Sequence, residues 1–173
     1  MNEQSKDLIA YLLSKFETNI EPIALIKLVY MGEIEAIEKF NKRFTDLKFI
    51  HYKHGPYANE LQNSYENNEF SSFNVDGKDP DLLAVVENIV AKWKPIVIGG
   101  GIQGLINKTY HTLPFQETSF NKEINFEKYI GNKYISKIVV KKKRYKTLSN
   151  PNIKLYTGKE LQSSIDEFLE QIN

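Results

Sequence analysis

The stretch T-D-L-K-F-I-H-Y-K-H-G-P-Y, residues 45–57, runs from a short apolar-aromatic strand into a turn at His54, Gly55, Pro56 and Tyr57. Few chain paths accept that order. Pro56 fixes φ and has no N–H, while Gly55 opens the backbone angles that a sharp reversal requires. Tyr52 and Tyr57 flank the turn, and each can bury a ring while keeping a hydroxyl for a hydrogen bond. Such a turn presents aromatic and imidazole groups at a surface. It carries no nucleophile with an evident base and no complete metal shell, so the residues alone describe an interaction surface on a small globular domain.

The chain around it is long enough for one core. Its 173 residues, 41% hydrophobic and 12% aromatic, predict a single domain over residues 1–173. With 23 Lys and Arg against 22 Asp and Glu, the net charge of +1 provides no global field toward nucleic acid or acidic membranes. The lack of cysteine removes disulfides, thiolate metal sites and cysteine nucleophiles, and suits a reducing compartment. The start M-N-E-Q-S-K-D is too polar for a signal peptide, and no apolar run reaches the roughly 18–20 residues of a membrane-spanning helix. A cytoplasmic protein with no membrane partner is the expectation; oligomeric state is left open.

Two helices are predicted ahead of the turn. Leu8, Ile9, Leu12, Leu13 and Phe16 recur at helical spacing behind Ser5 as a cap, and the helix stops near Glu17. Pro22 opens the longest helix, with Ile23, Ile26, Tyr30, Ile34 and Ile37 as its core stripe and Leu25, Val29 and Phe40 broadening it. Glu35–Lys39 and Glu38–Lys42 are oriented as exposed i,i+4 pairs. Gly32 inside this helix costs about 1 kcal/mol against Ala, which close approach of another element would explain. After the turn, Tyr57, Leu61 and Tyr65 mark a short helix ending at Asn67–Asn68, residues 70–75 read weakly as a strand, and Asp76-Gly77 is a turn. Asp79 and Pro80 open a third long helix buried through Leu82, Leu83, Val86, Ile89, Val90 and Trp93, which Pro95 closes. A short helix carries Ile102, Leu105 and Ile106, and Phe126, Tyr129 and Ile130 suggest one more turn. Ile135–Val140 is β-like, and Thr157 and Glu160 form a capping box before a last apolar-faced helix through Leu161, Ile165, Phe168, Leu169 and Ile172. The class is α+β, predominantly helical, with about five or six helices and a small antiparallel sheet.

Three other features suggest chemistry. Gly99, Gly101 and Gly104 match G-x-G-x-x-G after an apolar run and before a helix, the form of a flavin or nicotinamide turn. Residues 111–120, H-T-L-P-F-Q-E-T-S-F, are not the buried second strand such a unit needs, and Glu123 ends no apolar strand, so a flexible connector is preferred and no cofactor is expected. His51, His54 and His111 could in principle make a three-imidazole zinc site, but their spacing is not that of a helical pair, so no metal ligand is assigned and hydrogen-bonding or stacking roles are preferred. No catalytic residue is assigned. The basic run Lys141, Lys142, Lys143 and Arg144, continuing past Tyr145 to Lys146, is either a nucleic-acid contact or the solvated edge of a strand, and the edge is the commoner use.

Three segments, in order, resemble the SocA-like Panacea domain of toxin–antitoxin systems. They are K-L-V-Y-M-G-E-I-E at 27–35, the aromatic-x-Tyr/His-x-x-Gly-Pro signature within 45–57, and N-K-T-Y-H-T-L-P-F at 107–115. The resemblance covers about residues 8–115. It implies a non-enzymatic antitoxin whose partner is a cognate toxin protein, of the kind borne by bacteria, archaea and phages. Lys27, Tyr30, Tyr52, His54, Gly55, Pro56, Tyr57, Tyr110, His111 and Pro114 fall on its motifs. Tyr30 lies on an apolar stripe and is expected in the core. Contact with the toxin is expected from Tyr52, His54, Gly55, Pro56, Tyr57, Tyr110, His111, Pro114 and Phe115, with His54, Tyr57 and His111 exposed. Residues 116–173 carry no transferable motif and are expected to be partner-specific. A nucleic-acid-binding regulator using residues 141–146 is the alternative, and a flavin or nicotinamide enzyme using residues 99–104 a remote one.

Overall fold

Helix α2, Pro22–Phe40, is surrounded on almost every side: Ala24 through Ile34 are all buried. The sequence stripe was therefore too narrow. A computed structural model describes residues 1–16 and 18–136 of the chain. Among these, α1 (Glu3–Ser14), α4 (Pro80–Ile98) and α5 (Ile102–Tyr110) pack about α2 or one another, and α3 (Asn59–Glu66) and α6 (Leu113–Gln116) close the remaining sides. One continuous core joins Leu8, Ile9 and Leu12 of α1 to Leu25, Leu28 and Ile34 of α2 and to Val85, Val86 and Ile89 of α4. Burying each such side chain is worth about 1.5–3 kcal/mol, so α2 collects the largest share of the hydrophobic stabilisation. The class is α+β and predominantly helical, as expected.

The sheet is a hairpin. Strand β1, Ile50–Tyr52, pairs antiparallel with β2, Gly55–Tyr57, in the register Ile50↔Tyr57, His51↔Pro56 and Tyr52↔Gly55. The reversal is thus Lys53-His54, and Gly55, Pro56 and Tyr57 belong to the returning strand rather than to the turn. Gly55 takes φ +88°, a left-handed backbone angle that favours glycine where the chain leaves the loop. On its other side β1 is bonded to the segment 122–124: the His51 N–H donates to the Lys122 carbonyl at 2.9 Å and the Ile124 N–H to the Phe49 carbonyl at 2.7 Å. Strand β2 is left as the outer strand.

Several boundaries differ from expectation for identifiable reasons. Asn2, not Ser5, caps α1 by accepting from the Ser5 N–H at 2.8 Å; Ser5 is buried, and its hydroxyl accepts from the Asp46 N–H. Helix α4 runs through Pro95 to Ile98, because a proline one turn from the end deprives only the Ala91 carbonyl, and both residues are exposed to water. It stops at the glycines. Gly100, at φ +79°, donates to the Val97 carbonyl and Gly101 to the Ile96 carbonyl at 2.8 Å, the two bonds of a Schellman motif. Residues 70–75 form no strand, and Phe126–Tyr129 makes a single 3-10 turn at Glu127–Tyr129. Lys42 pairs with Asp79 and Asp81 at 2.7 and 2.6 Å instead of with Glu38, while Glu35–Lys39 forms at 2.6 Å. Gly32 is where Phe44 crosses α2: a Cβ there would meet the ring at 2.6 Å. The β-like stretch beyond Ser136, the basic run Lys141–Arg144 and the helix after Thr157 lie outside the described residues.

Candidate functional site

Two charged side chains lie inside α2, an expensive choice that only specific partners can offset. Glu33 is fully buried and accepts from the Phe44 and Thr45 N–H groups at 3.0 and 2.9 Å and from Arg43 Nε at 2.9 Å, which ties residues 43–45 to the helix. Lys27, 2% exposed, reaches the hairpin. Its Nζ donates to the Pro56 carbonyl at 2.6 Å. In this register Pro56 faces away from β1, so its carbonyl and its hydrogen-free nitrogen form the outer edge of the sheet. The proline removes the donor that another strand would use, and Lys27 occupies the acceptor. Burial holds the Lys27 ammonium at a pKa of about 8, below the ordinary lysine range.

Gly55 completes the joint. A side chain there would lie 3.0 Å from Thr109 Oγ1 of α5 and 3.2 Å from Lys27 Nζ, so the hairpin can sit between α2 and α5 only with no Cβ at this position. The following segment is fixed by hydroxyls. Thr112 donates to the Thr109 carbonyl at 2.8 Å and therefore accepts from Tyr30, 2.6 Å away; Tyr110 donates to the Lys53 carbonyl at 3.0 Å. Tyr30 is wholly in the core, as its stripe position implied, and burial raises its phenol pKa.

Three segments distant in sequence, α2, the hairpin and residues 109–115, thus meet at one place. What they present outward is aromatic. Tyr52, 45% exposed, stacks on Phe120, 57% exposed, with ring planes 8° apart, and packs against Tyr57 at 5.7 Å between centroids. His51 lies over Phe115 at 3.9 Å, with its Nδ1 at 2.6 Å from the Thr118 carbonyl. His54 and His111 are exposed, Tyr57 and Tyr110 half-buried. Gly55, Pro56, Pro114 and Phe115 are buried and stand beneath this face rather than on it. Sequence reading missed Phe120, whose only signal was an aromatic residue in a polar stretch, and gave Lys27 no role. A lysine breaking an apolar helical run was the available clue.

The family model described as antitoxin SocA-like, Panacea domain, matches residues 25–90. Over that stretch the chain is similar to the SocA-like Panacea domain. No curated protein and no solved structure matches the chain. The Panacea stretch takes in Lys27, Tyr30 and the hairpin, while the third motif segment, 107–115, lies beyond it and joins it through the Tyr30–Thr112 and Tyr110–Lys53 bonds. The glycines that imitate a dinucleotide turn follow a helix, not a strand, and end it. Among the described residues no three His, Asp or Glu side chains are grouped as a metal would need, and no helix is long and apolar enough to cross a membrane.

Proposed function

We propose that this chain is a non-enzymatic cytoplasmic antitoxin that neutralises a toxic protein by binding it directly, through the aromatic face of the hairpin. The Panacea match over residues 25–90 carries the reading. The face supports it: exposed Tyr52 and Phe120, half-buried Tyr57 and Tyr110, and exposed His54 and His111 stand on a joint braced by Lys27, Gly55 and Thr109. Aromatic anchors with few torsions, held by a rigid support, dominate many protein interfaces. The buried Gly55, Pro56, Pro114 and Phe115 shape this surface, and contact falls to the exposed rings.

The test is recovery of the tagged chain's partner from its native host, followed by expression of that partner alone and together with the chain. A protein toxic alone, harmless on co-expression, and toxic again beside Tyr52→Ala or His111→Ala is the expected result. Recovery of nucleic acid in a salt-sensitive complex, lost when Lys141–Arg144 are changed to Ser, would replace the reading with that of a regulator.

A further inference from the structure

Beside the aromatic face lies a cavity of about 160 Å³ between the first turns of α2, the hairpin and α3, lined by Ile23, Ile26, Lys27, Tyr52, His54, Gly55, Tyr57 and Gln62. A dry cavity of about this size admits a benzene-sized group. Its apolar lining is two isoleucines and two tyrosine rings. The charged or titratable groups among the lining residues, apart from the phenols, are Lys27 and His54, with Lys53 exposed between Tyr52 and His54. No carboxylate lines it; the neighbouring Glu66 is held by Gln62, whose Nε2 donates to it at 2.7 Å. Lys27 uses one hydrogen bond, to Pro56, of the three an ammonium can donate.

We propose that this cavity receives a single leucine-sized apolar side chain of the partner protein, presented between carboxylates that face Lys53, His54 and the Lys27 end of the wall. The inference rests on the antitoxin reading and names the chemistry of the segment that would be bound. Volume selects one apolar side chain, and the Lys27 ammonium in a lining without carboxylates, with Lys53 exposed nearby, selects its acidic neighbours. The aromatic face then acts as the water-excluding rim around that anchor.

Three capped peptides titrated into the full chain, labelled at isoleucine methyls, test this without any toxin. Acetyl-Glu-Leu-Glu-amide should shift the Ile23 and Ile26 methyl resonances saturably at millimolar concentrations, acetyl-Glu-Ala-Glu-amide should not, and acetyl-Lys-Leu-Lys-amide should bind about threefold more weakly. In His54→Glu, an exposed position where folding is not at stake, the order of the two leucine peptides should invert. Filling the cavity with Ile23→Trp, its fold checked by circular dichroism, should abolish the shifts. Equal affinity for the two charged peptides, or unchanged binding by Ile23→Trp, would overturn the proposal. A toxin neutralised equally well by Ile23→Trp removes this inference and keeps the antitoxin, whereas peptide binding by a chain that neutralises nothing does the reverse.

Discussion

Lys27 sets a measurable pH dependence. Burial lowers its pKa from 10.5 to about 8, so between those values the unfolded chain binds a proton that the folded chain has released. Stability from this group therefore rises with pH across that window, by at most about 3 kcal/mol. Urea melts of the wild type and Lys27→Met, compared at matched pH, should show the wild type gaining on the variant between pH 8 and 10.5; parallel curves would remove the buried-cation account. Glu33 behaves differently, because its carboxylate is bonded by donors of Arg43, Phe44 and Thr45 and Glu33→Gln turns one acceptor oxygen into a competing N–H. A loss of about 3 kcal/mol is expected by denaturant titration. At Gly32, alanine is the better helix former by about 1 kcal/mol, yet its Cβ would stand 2.6 Å from the Phe44 ring. The clash should win, with Gly32→Ala less stable by about 1–3 kcal/mol and recovery when Phe44→Leu is added, both read by thermal melts.

Elements were legible where local chemistry decides them. Pro22 at the head of α2, Asp79-Pro80 at the head of α4 and Asn67–Asn68 at the end of α3 are where the structure places those boundaries, because caps and prolines act within one turn. Long-range partners were not legible: nothing local says that Pro56 exposes an acceptor to a lysine 29 residues earlier, nor that Glu33 organises a loop ten residues on. The site was therefore half visible, its motif residues readable, their division into a buried brace and an exposed face not. Pro95 misled for the same reason, since breaking a helix depends on how much helix remains beyond it. Pro95→Ala should restore a backbone bond in α4 and raise the melting temperature. Gly100→Ala, forced to keep φ +79°, should lower stability by about 1–2 kcal/mol. Equal melting temperatures for the Gly100 variant and the wild type would contradict the Schellman stop.

At the scale of the molecule, α2 is the axis on which the packing of residues 1–136 depends. Hydrogen exchange should rank accordingly, with α2 amides near Leu28–Ile34 opening only by global unfolding and the ends of α5 and the hairpin loop opening locally. The same placement bears on synthesis. A ribosome completes α2 well before α3 and α4, the elements that first cover it, and about 60 residues before Ile102–Tyr110 of α5 closes the remaining side. For a protein whose proposed work is to hold another in check, supply then depends on how many young chains complete that order of closure.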